Sequence, residues 1–124
     1  MVWDPDRIAP KSWATILAFY RHLEDRNDDF RPLAHLAEHV VATEHESSIF
    51  GATSGTALLV ACQADADWAR DALRIDVDLS GSVRFFLPQK DLVKAATFQC
   101  NGAKIVGTFE TFLRDAGWSP RRTP

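Results

Sequence analysis

This sequence predicts an α+β domain: a four-stranded antiparallel meander, in the order ααββββα, with its helices packed on one face. Three observations carry that reading. Apolar residues recur every three or four positions over residues 13–26, 30–43 and 105–116, the period of an amphipathic helix. From about residue 56 to residue 100 the period falls to two, as in strands. The links between those strands are too short for helical crossovers, so antiparallel neighbours are expected.

Residues 1–10, with Pro5 and Pro10, read as an extended lead-in, and Pro10 is placed to open a helix because its missing N–H is no loss there. Trp13, Ile16, Leu17, Tyr20, Leu23 and Glu24 then share one side of a first helix, with Phe19 at its border. Asn27-Asp28-Asp29 ends that helix near Arg26, and an Asp there can cap the next. The second helix is expected from about Phe30 to Thr43. Its stripe is Phe30, Leu33, Ala37, Val40 and Val41, which leaves His35 and His39 on nearly the opposite face. Two glycines and two hydroxyls in Gly51-Ala52-Thr53-Ser54-Gly55 read as a break.

The first strand, Thr56 to Cys62, is apolar on both faces, as a buried strand is. Gln63 to Asp71 is polar apart from Trp68 and reads as a loop or a short helical turn. Leu73, Ile75, Val77 and Leu79 alternate with Arg74, Asp76 and Asp78. Ser80-Gly81 turns the chain into Val83, Phe85 and Leu87, completing a hairpin that Pro88 stops. A fourth strand is expected over about Val93 to Cys100. Asn101 is a good N-cap for a last helix whose stripe is Ile105, Val106, Phe109, Phe112, Leu113 and Ala116. Gly117 suits its C-cap, and Pro120 prevents resumption.

The 124 residues amount to a single domain, 1–124, with a tail at 119–124. A hydrophobic content of 46% and a charged content of 25% exclude a disordered chain, a collagen-like repeat and a disulfide scaffold. The net charge of -3 gives no electrostatic case for nucleic acid or an anionic membrane, and Arg121-Arg122 is too short to make a basic patch. The longest apolar run, Ala57 to Cys62, is far too short to span a bilayer. The N-terminus lacks the pattern of a signal peptide, and Cys62 and Cys100 fit no zinc spacing, so a cytoplasmic protein with reduced thiols is expected. The acidic excess belongs to the N-terminal helices, where Asp25, Asp28, Asp29, Glu38, Glu44 and Glu46 stand among few basic residues. A solvated face accounts for it.

Five constellations could carry chemistry. His35-Leu36-Ala37-Glu38-His39 matches the H-x-x-E-H pattern of inverted zinc peptidases, with Glu38 in the position of a base and Glu110 downstream where a third ligand would be sought. Five residues in so small a chain leave little room for a substrate cleft, and both histidines lie off the core stripe, so a solvated polar face explains the match and no metal is expected. His22, His35, His39 and His45 together would make a pH-sensitive surface, although ordinary surface histidines suffice. Gly102-Ala-Lys-Ile-Val-Gly107-Thr108 has Thr108 where a phosphate-binding loop needs lysine, which argues against a nucleotide. Cys100, just before a helix N-terminus, is a catalytic candidate, against the usual role of cysteine as a small buried hydrophobe.

Asp76 and Asp78 on one strand face could act as acid and base or hold a divalent cation. The wet side of a half-buried sheet explains them as well, with cross-strand Arg–Asp pairs. That same face, left bare by helices on the other side, presents Phe86 beside Arg74, Asp76, Asp78 and Arg84, with Thr97 and Gln99 near. An aromatic with arginine on a flat mixed-charge surface suits a protein interface. Trp3, Trp68 and Trp118 fall outside the stripes and either join it or lid the core. The functional expectation is a small non-enzymatic protein-binding module (an inhibitor, immunity-like protein, adaptor or subunit) without cofactor. It would dock a protein partner, or a second copy, through this sheet face or the acidic helical surface. The alternative is a small enzyme or ligand-binding domain with a pocket between the sheet and the N-terminal helices.

Overall fold

The computed structural model describes residues 8–63, 65–68, 71–78, 81–87 and 96–118. The class is α+β as expected, but the sheet has five strands rather than four. Helices α1 (Trp13–Arg26) and α2 (Arg31–Val41) come first. Strands β1 (Phe50–Ser54), β2 (Ala57–Ala61), β3 (Leu73–Val77), β4 (Ser82–Leu87) and β5 (Ala96–Asn101) follow, and α3 (Ile105–Ala116) closes the order. The strands lie in the sheet in chain order, each antiparallel to the next.

The extra strand is the stretch expected to break. Phe50–Ser54 pairs with Ala57–Ala61 across the two-residue turn Gly55-Thr56, with Gly55 at φ +60°. Positive φ at that point belongs to the primed turns that match strand twist. Gly51 sits within β1 because α1 leaves no room for a side chain: a Cβ there would stand 2.6 Å from Ile16 Cδ1 and 2.8 Å from the Trp13 ring. Glycine in that segment marks a close approach of helix to strand rather than a break.

Ser12, not Pro10, starts α1: its side chain accepts a hydrogen bond from the Thr15 N–H. Asn27 caps a single 3₁₀ turn, Asp28–Phe30, that leads into α2. Asn101 caps a second such turn, Gly102–Lys104, before α3, and Gly117 ends α3 at φ +73°. The start of the strand expected from Val93 lies outside the described residues, as do Trp3, Leu79, Pro88 and the tail at 119–124.

The main core sits between one face of the sheet and the helices. Trp13, Ile16, Tyr20, Leu33, Leu36 and Val40 meet Leu58, Val60, Leu73, Ile75, Val83 and Phe85, closed at one end by Ile105, Phe109 and Leu113. Phe85 stacks on Phe98 at 4.9 Å, Phe98 on Phe112, and Trp118 meets the Phe112 edge at 5.2 Å, so Trp118 lids this end. Tyr20 donates its phenol to the Thr56 carbonyl at 3.1 Å. Burial, with the negative charge of Asp76 adding to it, pushes that phenol far above its ordinary value, so Tyr20 is a neutral structural group.

The described residues cover the rear face of the sheet only in part. Trp68 folds back from the loop after β2 onto Ala52, Leu59, Ala61 and Ala72, and Ile8 and Phe50 pack at the margin. This second cluster explains why β2 is buried along its whole length. Cys62, expected on an apolar face, stands exposed just beyond it. No helix among the described residues is long and apolar enough to cross a membrane.

Candidate functional site

The part of the rear face that no other described element covers is formed by β3, β4 and β5. Period-two alternation sends Arg74, Asp76, Arg84, Phe86, Thr97 and Gln99 to this side while Ile75, Val83 and Phe85 go to the core. The register aligns them in two rows. Leu59, Arg74, Phe86 and Thr97 succeed one another across β2 to β5, and Asp76, Arg84 and Gln99 form the next row. The six residues line a shallow concavity of about 460 Å³. Arg74 Nε donates to Asp76 Oδ2 at 3.0 Å along the strand. Arg84 is exposed and Phe86 is half-buried. Asp78, counted with this face from its place in the alternation, lies in the β3–β4 turn, where its Oδ1 accepts from the Ser82 N–H at 3.1 Å and its carbonyl from Gly81.

A second constellation joins three elements. His39 comes from α2 and Glu110 from α3. His45 comes from a 3₁₀ turn, Glu44–Ser47, started by the Thr43 side chain. Nε2 of His39 lies 2.6 Å from Glu110 Oε1, and Nε2 of His45 lies 2.7 Å from the same oxygen. The ligand atoms of all three residues lie within 4.8 Å of one another. His45 is the one buried polar or charged residue among those described, at 8% exposure, and its Nδ1 has no hydrogen-bond partner. Partial burial works to raise the Glu110 carboxyl. Hydrogen bonds from the two imidazoles, together with their charge, outweigh it and hold the group below its ordinary value. Glu110 is therefore an anion at neutral pH.

The placing of His39 corrects the expectation that it points away from the packed side. At about 100° per residue, His39 lies about 100° round the helix from Val40, and His35 about 140°. The α3 helix packs on that flank, half-covers His39 and leaves His35 exposed. Glu38, the base of the five-residue pattern, instead pairs with Arg21 of α1. The candidate pair His35 and His39 is thus not brought together as a ligand set. His39 meets instead Glu110, named in the sequence as a place where a third ligand would be sought, and His45, there one of four histidines.

The remaining candidates stand apart. Cys100 is half-buried and packs against the main core from the face opposite Arg84 and Gln99, while Asp76 lies on the rear face. The space between the sheet and α1–α2 is filled by core side chains rather than by any of these groups. A groove of about 610 Å³ runs between β5 and α3 over Phe98, Gly107 and Phe112, with Lys104 and Asp115 at its rim. It was missed in the sequence because Gly107 and Thr108 read only as a failed phosphate loop. No protein-family model, curated protein or solved structure matches this chain.

Proposed function

We propose that this chain is a small non-enzymatic protein-binding module that docks a protein partner through the open rear face of β3–β5. One observation carries the reading: Arg74, Asp76, Arg84, Phe86, Thr97 and Gln99 share a shallow concavity on the sheet face that the helices leave uncovered. An aromatic flanked by arginines, amide and hydroxyl, with a carboxylate in reach, is the composition of an interface centre. The fitting partner presents an apolar seat for Phe86 with carboxylates placed for Arg74 and Arg84. The acidic helical surface is the weaker docking face, because Arg21–Glu38 and Arg31–Asp28 pairs neutralise part of it. A cytoplasmic setting is in keeping with two free cysteines.

The test is the double variant Phe86→Asp, Arg84→Glu, two changes on exposed or half-buried positions of one face. It is expected to keep the wild-type circular dichroism and to lose partners that the wild-type chain captures from the source cell. If the interface is with a second copy, the solution mass falls to that of the monomer. A folded variant that retains its mass and every partner sinks the reading.

A further inference from the structure

We propose that His39, His45 and Glu110 form a binding site for a divalent first-row transition ion of the zinc type, independent of the sheet face. Two imidazole nitrogens and a carboxylate oxygen are a borderline donor set, suited to zinc and its neighbours and not to magnesium or calcium, which take oxygen ligands. Both Nε2 atoms reach the same Glu110 oxygen, so three donors from three separate elements already lie within 4.8 Å of one another. An ion held at about 2.0–2.1 Å from each donor in tetrahedral order keeps the donors about 3.3 Å apart. The present separations of 2.6 and 2.7 Å therefore open by about 0.6–0.7 Å. Glu110 can supply that movement, since its side chain is 36% exposed while that of His45 is held at 10%. The half-exposed side of the cluster is an entry path for the ion and leaves its fourth position to water.

Each imidazole would bind the ion through the Nε2 lone pair, with its remaining ring proton on Nδ1. Nε2 is the hydrogen-bonding atom of the His45 side chain and Nδ1 has no partner among the described residues, so packing aims Nε2 at the site. His35 stands outside the cluster on the same helix and makes an internal control.

The experiment uses the full chain, stripped with a chelator. Zinc is titrated by calorimetry, and cobalt by the visible absorption of a four-coordinate complex. One ion per chain is expected, with magnesium in equal amount failing to compete. His39→Ala and Glu110→Gln should each weaken binding at least tenfold, the loss seen when even outer partners of a ligand are removed. His35→Ala should bind as the wild type does. Zinc should also raise the melting temperature of the wild type and not that of Glu110→Gln. Should His39→Ala fail to fold, Glu110→Gln, which preserves side-chain volume, decides alone. Absence of heat and of a cobalt spectrum, unchanged affinity in a folded His39→Ala or Glu110→Gln, or loss of binding in His35→Ala would each overturn the site.

Discussion

Gly51 shows how much a single position can hold. Its neighbours across the interface are a flexible Ile16 methyl and the rigid Trp13 ring, whose Nε1 is itself tied to the Ile49 carbonyl at 3.1 Å. The methyl can turn aside, but the ring cannot without breaking that bond. Gly51→Ala is therefore expected to destabilise the fold by about 1–3 kcal/mol, the cost of overpacking a filled core, read as a lower urea midpoint at unchanged slope. A midpoint equal to the wild type would mean that α1 shifts freely on β1. Gly51 also marks the limit of residue-level reading. Two glycines among hydroxyls resemble a break, and only the nearness of α1 explains why one of them is a strand residue. His39 is the parallel case: its position on α2 was legible, but which flank of α2 would be covered was not.

At the scale of elements, caps and periods were read closely where the signals are local. The limits of α1 near Arg26, the Asn101 cap, the Gly117 stop and the alternation through Leu73–Val77 all agree with the structure. Each depends on residues within one turn or one pleat. Two helix starts are the exceptions: Pro10 suggested that of α1, but Ser12 provides the acceptor for the Thr15 N–H, and where an Asp was expected to cap α2, Asn27 caps the 3₁₀ turn before it. Ser12→Ala should cost about 1 kcal/mol, the usual worth of an N-cap, checked by thermal melting. An unchanged melting temperature would return the start of α1 to Pro10. The candidate site on the sheet was legible for the same local reason, since alternation alone put Arg74, Asp76, Arg84 and Phe86 on one face. Asp78 kept its parity but lies past the strand end, in the turn.

Over the whole molecule the sheet is a partition between two unequal cores. The larger belongs to the helices. The smaller depends on Trp68, which reaches across from a loop to cover Ala52, Leu59 and Ala61. Trp68→Ala should destabilise the chain by about 3 kcal/mol, near the lower end for loss of a buried tryptophan, and urea unfolding measures it. A loss under about 0.5 kcal/mol, the range of ordinary surface changes, would show that the rear cluster contributes little. The same cover narrows the bare surface. Without it the rear face would be open from β1 to β5, whereas among the described residues only β3–β5 is left open. The sequence by itself determined the helical and strand periods, most caps, the α+β class and the polar face of the central strands, because each is written in neighbours a few residues apart. Tertiary structure alone decided the fifth strand, the half-covered rear face, and the meeting of His39 and His45 with Glu110, which lie 71 and 65 residues from it. Periodicity states which side of an element is apolar. Which neighbour comes to cover a flank is settled only when the whole core packs.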